Sequence, residues 1–385
     1  MFALLRRYLR RVDALYLALC AACSAVSVVV LVSIGQTQLG SNNKASVQLI
    51  ASLLGVMLAF IFSTVDYRAL ARAWPLHATV AWGLVLPTLF LHNFRAGVVT
   101  IGYDAGGTSN YSWYRVGGMT FQPAELAKIA VIIMMAYMIG KMGRKVKTLK
   151  SCMILGLPGA GLALAAYILT DNLSTAMIIL GITVGMVFVA HPDMRPFIAV
   201  AAAGVILIVI GVLFLVATTK NSDSFRVMRV LVWLQPEKYS DEGGYQTLQA
   251  LYAIGSGGLF GRGLGNSIQK LGSVPEAQND MIFSIICEEL GIFGGIFVLI
   301  LFGYLLYRLF FIAQNAPDLF GSLIVTGIFI HIALQVILNI AVVLNLMPNT
   351  GVTLPFISYG GTSIVFLMLE MAIALSVARQ IKFQE

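Results

Sequence analysis

Ionisable residues inside or beside long apolar runs are the first candidates for chemistry in this sequence. Asp280 immediately precedes an apolar run, and Glu288 and Glu289 lie about two helical turns further along it. Glu125 and Lys128 lie three residues apart at the start of another apolar run, on one face of a predicted helix. Because a charge is unfavourable in an apolar environment, each of these residues is a functional hypothesis. A carboxylate held in this way could act as a general base.

Each of these candidates also has a purely structural interpretation. Asp280 could cap the helix that follows it, since aspartate is a preferred N-cap residue. Glu125 and Lys128 could form an internal ion pair in which two buried charges neutralise each other. Glu370, in the last apolar run, is a further candidate of the same kind. The residue types alone leave these alternatives open.

A polar segment near the C-terminus, residues 347–362, offers groups that could bind a polar ligand. Its two prolines and three glycines rule out a membrane-spanning helix, so the segment must fold back against protein or a water-filled cavity. Glycine supplies the special backbone angles that such a fold needs. The candidate ligand-binding residues here are Thr350, Ser358, Gly360, Gly361, Thr362 and the adjoining Ser363. A purely structural re-entrant plug is the alternative.

The elements that carry these residues are predicted to be transmembrane helices. Hydrophobic residues make up 59% of the 385-residue chain and charged residues only 11%, a composition that needs lipid as its solvent. A bilayer core of roughly 30 Å requires about 20 apolar residues per helix, and runs of that order predict about ten spans. These are residues 14–35, 47–64, 77–92, 124–140, 153–170, 174–191, 196–217, 281–312, 321–346 and 363–378. Because the runs are continuous rather than alternating, the predicted fold class is all-α and polytopic.

Lys and Arg are concentrated on one side of the predicted spans, with clusters at residues 6–11 and 141–150. With ten spans both termini share that side, and the positive-inside rule predicts that both are cytoplasmic. The formal net charge of +8 then reflects orientation and contact with anionic membrane lipids, and no nucleic-acid partner is predicted. Three long segments, 93–123, 218–280 and 347–362, lie on the other side. Function is therefore expected at the outer face.

Several segments, taken in order, resemble the SEDS family (shape, elongation, division and sporulation) of bacterial peptidoglycan glycosyltransferases, which includes FtsW, RodA and SpoVE. They are residues 121–128, 171–176, 244–246 with 253–259, 275–280 with 288–291, and 348–363. Residues 263–270 resemble the FtsW and SpoVE branch more than RodA. The resemblance implies a single transmembrane domain over residues 1–385 in the bacterial cytoplasmic membrane. Within it, 218–280 would be a large extracytoplasmic loop and 347–362 a re-entrant extracytoplasmic segment.

The resemblance also implies a reaction, the polymerisation of lipid II into β-1,4-linked glycan on the outer leaflet. In this hypothesis Asp280 is the general base that takes the proton from the acceptor sugar hydroxyl. The resemblance places Glu125 and Lys128 beside it. Where family members often have His-Thr-Asp, this chain has Gln278-Asn279-Asp280, so the acidic position is retained and substrate contacts at Gln278 differ.

Cations are expected to offset the charge of the leaving lipid pyrophosphate. The side chains available near the outer face are Arg115, Lys128, Arg226, Arg229, Arg262 and Lys270. A divalent cation, Mg²⁺ or Mn²⁺, could share this task, and no other cofactor is expected because no P-loop or zinc motif occurs. The metal ligands are not identified by the sequence.

The resemblance implies a class B penicillin-binding protein as a transpeptidase partner, together with divisome or elongasome proteins. Two other functions are alternatives: a lipid II flippase, or a noncatalytic scaffold for division or sporulation proteins. A flippase would need polar residues along a path on both sides of the bilayer, whereas the unusual loops here are concentrated outside. The polymerase is therefore favoured.

Overall fold

The computed structural model describes residues 14–35, 42–72, 75–76, 79, 82–83, 94–97, 99–103, 113–116, 119–170, 172–218, 225–242, 244–271, 274 and 277–381. The helices are α1 (Ala14–Gly35), α2 (Asn42–Phe62), α3 (Arg68–Arg72), α4 (Pro123–Met142), α5 (Leu149–Thr170), α6 (Leu173–Ala190), α7 (Arg195–Thr218), α8 (Phe225–Leu234), α9 (Gly244–Gly257), α10 (Ile282–Gln314), α11 (Leu319–Val343) and α12 (Gly361–Ala378). The strands are β1 (Phe94–Ala96), β2 (Val99–Tyr103), β3 (Trp113–Val116) and β4 (Met119–Phe121).

Nine helices within the described residues are long and apolar enough to cross a membrane. They are α1, α2, α4, α5, α6, α7, α10, α11 and α12. They coincide with nine of the ten predicted spans, and the predicted all-α polytopic fold class is confirmed. The remaining predicted span, residues 77–92, lies mostly outside the described residues.

Helix α11 lies at the centre of the bundle and packs against α4, α6, α10 and α12. Glycines allow α4 and α6 to approach α11 closely. A Cβ added to Gly327 would lie 2.6 Å from Ile132 of α4, and one added to Gly181 of α6 would lie 2.5 Å from Leu334. Small residues take this role in membranes, where helices associate by tight packing rather than by the hydrophobic effect. The arrangement buries much of α11, although Ile337 stays exposed.

A small antiparallel sheet in strand order β1-β2-β3-β4 was not predicted. It lies within the segment 93–123, where Thr100 pairs with Arg115 and Arg115 pairs with Thr120. Backbone groups outside the helices still need hydrogen-bond partners, and a ladder of short strands supplies them. Because β4 ends two residues before Pro123, the sheet leads directly into α4.

Helix α10 is interrupted at Gly291, which has φ 71° and ψ −171°. The loop that follows α9 fills the break. Arg262 and Gly263 donate their amides to the carbonyls of Glu288 and Glu289, both at 2.9 Å. In an unbroken helix those carbonyls would accept from residues four positions on. The amide of Ile292 instead reaches the Gly258 carbonyl at 2.9 Å.

We call residues 258–263 the splice loop, because their backbone completes the interrupted ladder of α10. At Gly291 a Cβ would lie 2.3 Å from the Leu259 carbonyl oxygen, and at Gly261, with φ 77°, one would lie 2.2 Å from the Glu289 carbonyl oxygen. The two backbones touch only because both positions are glycine.

The opposite end of the bundle is closed by a network that we call the latch, centred on Asp66, Tyr67, Arg68 and Asp318. Tyr67 donates its hydroxyl to Asp318 at 2.7 Å, and Arg68 Nε lies 2.8 Å from the same carboxylate. A hydrogen bond from the Arg68 backbone amide, followed by one from the Gln380 side chain, lowers the pKa of Asp66. Partial burial acts to raise the pKa of Asp318, but hydrogen bonds from Gly321, Tyr67 and Arg68 outweigh it and lower the pKa.

Candidate functional site

Asp280 lies in the turn that leads into α10, residues 277–281, which we call the Asp280 turn. The backbone of this turn is held by α11. Asp280 is only 8% exposed. Asn339 of α11 donates from Nδ2 both to the Asp280 carbonyl and to the Val352 carbonyl, each at 2.8 Å. The N-cap position of α10 is Met281, so Asp280 precedes the cap rather than occupying it. One amide side chain thus joins the Asp280 turn to the segment 347–362.

The segment 347–362 also holds the two residues before Asp280. The Tyr359 amide donates to the Gln278 carbonyl at 2.9 Å, and Ser358 Oγ donates to the Asn279 carbonyl at 2.6 Å. Ser358 Oγ in turn accepts the Leu354 amide at 2.8 Å. Three successive carbonyls, ending with that of Asp280, are therefore held by named donors. The carboxylate stands on a backbone with little freedom to move.

Two polar side chains that sequence reasoning missed, Gln48 of α2 and Ser27 of α1, support this segment from behind. Both are fully buried. Gln48 Nε2 donates to the Ser358 carbonyl at 3.1 Å, and its Oε1 accepts the Gly360 amide at 3.1 Å. Ser27 Oγ donates to the Ile357 carbonyl at 2.7 Å. An isolated Gln in an apolar run could have drawn attention to Gln48, because such a side chain needs partners within the protein.

Glu125 and Lys128 form an ion pair, with Lys128 Nζ 2.8 Å from Glu125 Oε2. The Lys128 side chain is 2% exposed and that of Glu125 is 13% exposed. Just before this helix, the Thr120 carbonyl of β4 accepts a hydrogen bond from Thr362 Oγ1 at 3.2 Å. The start of α4 therefore lies at the same end of the bundle as the segment 347–362. We call this end the loop face.

Two further contacts fix the middle of the segment 347–362. Ser174 of α6 donates its hydroxyl to the Thr350 carbonyl. Asn349 Nδ2 donates to Gln246 Oε1 of α9 at 2.9 Å. The segment is thus bonded to α1, α2, α6, α9 and α11, which supports the prediction that it folds back against protein. Thr350 and Ser358 are both buried, and the Ser358 hydroxyl holds the Asn279 carbonyl.

The remaining candidates of this segment, Gly360, Gly361 and Ser363, lie at the start of α12 and are partly exposed. Gln278 is also partly exposed beside Asp280. Gln278 belongs to the turn that carries Asp280, and its carbonyl is bonded by Tyr359, the residue before Gly360. Asp171, from the segment 171–176, lies outside the described residues.

The candidate cations are distributed around the loop face. Arg115 is exposed on β3, and Arg229 is partly buried on α8. Arg226 belongs to α8, but its side chain lies outside what the structure describes. Arg262, on the splice loop, donates from Nε to the Ser256 carbonyl at 3.3 Å and lies 3.9 Å from Glu288. The geometry does not single out one of them for a pyrophosphate.

Lys270 differs from the other candidate cations because it is fully buried. Its ammonium lies 2.7 Å from Glu289 Oε1 and 2.8 Å from Ser33 Oγ of α1. It neutralises a carboxylate that α10 brings into the protein beside the splice loop. Lys270 would contact a pyrophosphate only if this ion pair opened. Its role in charge neutralisation stays a prediction, and the alternative is a purely structural role in neutralising Glu289.

Glu288 is buried as well, and its carboxylate organises the residues after the splice loop. It accepts hydrogen bonds from the Ser267 hydroxyl and from the Ile268 amide, the latter at 3.1 Å. Both glutamates of α10 therefore face the interior. Their bonds hold the loop between α9 and the Asp280 turn against α10.

A metal site is not built by acidic, histidine and cysteine side chains in the part of the chain that the structure describes. No group of three or more such residues there is arranged to hold an ion. The donors around Asp280 are mainly carbonyl, hydroxyl and amide groups. Binding of Mg²⁺ or Mn²⁺ stays a prediction.

Comparison with known proteins places this arrangement among cell-wall proteins. The model of the FtsW, RodA and SpoVE family, described as cell cycle protein, matches residues 10–383. The chain is similar to stage V sporulation protein E of Bacillus subtilis (strain 168), with 34% identity over 339 residues, or 87% of each chain. It is also 34% identical to the probable peptidoglycan glycosyltransferase FtsW of that strain, over 88% of this chain and 82% of the relative.

Two solved structures share the architecture. One is a chain of a peptidoglycan synthase complex in which polymerization and crosslinking are coordinated, with a TM-score of 0.75 and 26% identity over 96% of this chain and 98% of that one. The other is the rod shape determining protein RodA of Thermus thermophilus, with a TM-score of 0.63 and 26% identity over 97% and 98% of the two chains.

Proposed function

Because the chain belongs to the FtsW, RodA and SpoVE family of cell cycle proteins, we propose that it is a peptidoglycan glycosyltransferase that polymerises lipid II, with Asp280 as general base. The observation that supports this most is the fixed backbone of the Asp280 turn. Three successive carbonyls are bonded by Tyr359, Ser358 and Asn339 at the loop face. The apolar bundle around the turn suits a substrate whose lipid tail stays in the membrane.

The proposed orientation puts the loop face outside the cell and both termini in the cytoplasm, in the bacterial cytoplasmic membrane. The whole chain, residues 1–385, then forms one transmembrane domain. Residues 218–280 are its large extracytoplasmic loop, and residues 347–362 are a re-entrant segment. The distribution of Lys and Arg supports this orientation.

The reaction needs one proton acceptor. Asp280 removes the proton from the 4-hydroxyl of the acceptor GlcNAc as that oxygen attacks the anomeric carbon of the donor sugar. The bond from that carbon to the lipid pyrophosphate breaks, and attack from the opposite side inverts the configuration to give a β-1,4 linkage. A pyrophosphate leaves without a proton if nearby cations offset its charge. One carboxylate is therefore sufficient.

Fixing the carboxylate matters because a general base acts only within hydrogen-bond reach of the proton it removes. A misplacement of about 1 Å lowers rates by as much as 10²-fold. Ser358 and Asn339 limit such movement through the backbone rather than through the carboxylate itself. The bonds that position Asp280 are therefore distinct from the bond that its side chain would make to the acceptor sugar.

Cationic side chains at the loop face would offset the negative charge of the pyrophosphate. The proposed side chains are Arg115, Arg226, Arg229, Arg262, Lys128 and Lys270. Lys128 is already paired with Glu125, so its ammonium would offset the pyrophosphate charge only if that ion pair opened. A bound divalent cation, Mg²⁺ or Mn²⁺, would supply further charge neutralisation.

The proposed partner is a class B penicillin-binding protein, whose transpeptidase domain would crosslink the new strand. The similarity to a chain of a peptidoglycan synthase complex supports such a partner. Divisome or elongasome proteins are proposed to bind the same assembly.

The function is tested with the purified full chain in liposomes that contain lipid II. The expected product is a ladder of glycan strands that a muramidase digests. Transfer of lipid II across the bilayer without any glycan product would favour the flippase instead. Measurement with and without a candidate class B penicillin-binding protein shows whether polymerisation needs the partner.

A further inference from the structure

A buried histidine and glutamate meet at the centre of the bundle, and the proposed reaction does not use them. His331 Nδ1 lies 2.9 Å from Glu370 Oε2, and the two residues are 0% and 2% exposed. His331 is at the midpoint of α11 and Glu370 is near the midpoint of α12. A lone charge at this depth is strongly unfavourable. One hydrogen lies between His331 Nδ1 and Glu370 Oε2, whichever of the two atoms donates it.

Two more polar side chains continue from this pair along α11. Gln335 and Asn339 follow His331 at intervals of four residues, which places all three on one face of the helix. Gln335 is 4% exposed and Asn339 is 0% exposed. At a rise of about 1.5 Å per residue, the row from His331 to Asn339 is roughly 12 Å long.

This polar row ends at the proposed catalytic turn. Asn339 donates to the carbonyls of Asp280 and Val352, as described above. Gln335 Nε2 lies 3.5 Å from Thr353 Oγ1, on the segment 347–362. The row therefore runs from the middle of α11 to the backbone that supports Asp280.

Each side chain of the row has one buried polar atom without a hydrogen-bond partner in the described part of the chain. These atoms are His331 Nε2, Gln335 Oε1 and Asn339 Oδ1. Buried polar atoms are normally bonded either to protein or to ordered water. The three unbonded atoms belong to side chains on successive turns of α11, about 6 Å apart along the helix axis. A row of water molecules along this face would supply their missing hydrogen bonds.

We propose that a file of buried water runs along α11 from the His331–Glu370 pair to the Asp280 turn, and that the pair exchanges its proton through it with the loop face. A proton that leaves the pair passes to the nearest water while another leaves the file at its outer end. The return of a proton reverses these transfers. No bond other than those to the moving protons changes. Proton exchange at the pair is also proposed to affect the rate of lipid II polymerisation. That effect rests on the proposed function, whereas the file itself does not.

Asp280 lies at the outer end of the row, and other ionisable groups on the helices next to α11 have partners within the described residues. On α4, Lys128 is bonded to Glu125. Glu288 and Glu289 of α10 bond the Ser267 region and Lys270. Arg68 of α3 pairs with Asp318 beyond the other end of α11. The buried face of α6 is apolar apart from Thr175 and Thr183. Glu370 is therefore the ionisable partner of His331.

The file is tested by hydrogen–deuterium exchange of the full chain in nanodiscs, followed by infrared spectroscopy. Bands of the pair are assigned with H331Q and E370Q. We expect Q335M, which keeps the side-chain length but removes both polar atoms, to slow exchange at the pair at least ~10-fold. T326V is the matched control, because the Thr326 hydroxyl bonds the Ser322 carbonyl of its own helix and is not in the row.

Slowed exchange in Q335M and wild-type exchange in T326V support the file. Equal rates in all three proteins, equal slowing in both variants, or a wild-type pair that does not exchange over hours would each overturn it. The effect on turnover is measured separately with H331Q, whose kcat for lipid II should fall or change its pH dependence while KM stays constant. An unchanged kcat at every pH rules out that effect. Failure of wild-type polymerisation would reject the proposed function and leave the exchange result intact.

Discussion

At the scale of single residues, the site consists of one carboxylate and several side chains that hold its backbone. The backbone carbonyl of Asp280 accepts a hydrogen bond from the Asn339 side chain, and the carbonyl of Asn279 accepts one from the Ser358 hydroxyl. A hydroxyl such as Ser358, which both donates and accepts, specifies position more strictly than a group with one partner. The role of these residues is therefore expected to appear in the rate of reaction more than in substrate binding.

Replacement of Ser358 by alanine should lower kcat for lipid II and leave KM nearly unchanged. The substitution leaves the Asn279 carbonyl and the Leu354 amide without their partner, which also destabilises the fold by about 1–3 kcal/mol. Steady-state polymerisation rates and thermal unfolding in detergent check both effects. Ser240→Ala, at a turn remote from the Asp280 carbonyl contacts, is the control and should match the wild type. A kcat for Ser358→Ala equal to that of the control contradicts the positioning role.

Candidate residues stand out in the sequence only where the residue type is unusual for its surroundings. Asp280 and the pair of Glu125 and Lys128 stand out as charges within apolar runs. Lys270 was expected among the available cations, but it is buried against Glu289, a partner 19 positions later in the chain. A periodic apolar pattern does not reveal such a contact between distant positions.

At the scale of elements, the splice loop and α10 depend on each other. The loop donates two amides to carbonyls of α10, and α10 donates an amide back to the Gly258 carbonyl. The residues between this contact and Asp280 are further held by the Glu288 carboxylate. The outer end of α10 is thus clamped by the splice loop near Gly291 and by the segment 347–362 near Asp280.

Replacement of Gly291 by alanine should destabilise the protein and reduce polymerisation. A positive φ is strained for alanine, by about 1–3 kcal/mol, and the added Cβ would meet the Leu259 carbonyl oxygen at 2.3 Å. Gly303→Ala is a matched control on the same helix, because a Cβ added at Gly303 would meet no atom within 4 Å. It should be neutral or stabilise by up to about 1 kcal/mol. Equal melting temperatures for the two variants would show that the splice contact is dispensable.

Helices were more predictable than the connections between them. Nine spans follow from apolar runs, because the bilayer requires an apolar helix of nearly fixed length. The four short strands and the splice loop are stabilised by pairing between distant segments, and such pairing leaves no periodic pattern. The segment 347–362 is intermediate, since its prolines and glycines predict a fold-back but not its partners Gln48 and Ser27.

At the scale of the whole molecule, the two ends of the bundle differ in chemistry. The loop face holds non-helical segments around Asp280, whereas the opposite end is closed by the charged latch. Ser376 of α12 donates to the Val65 carbonyl at 2.6 Å, so the latch ties α2, α11 and α12 together. These are helices that contribute Gln48, Asn339 and the start of α12 to the site. The two ends of the bundle therefore share α2, α11 and α12.

Acidification should weaken the latch. The pKa values of Asp66 and Asp318 are lowered in the folded protein, so their contribution to stability is present above the unfolded pKa of about 3.9 and is lost as pH falls through the folded values. Amide hydrogen exchange of residues 63–72, corrected for intrinsic rates, should accelerate as pH falls below roughly 4. Asp66→Asn should reduce this acceleration. Constant protection down to pH 3 is the contrary outcome.

The most direct measurement of the central claim is single-turnover glycan formation by Asp280→Asn with saturating lipid II. Asparagine keeps the size of the side chain and the backbone hydrogen bonds but cannot accept the acceptor proton as a base. We expect the rate to fall about 10²–10⁴-fold with unchanged lipid II binding. Asp241→Asn, the same chemical change at an exposed turn, should react at the wild-type rate. A folded Asp280→Asn protein that forms glycan strands as fast as Asp241→Asn would contradict the account.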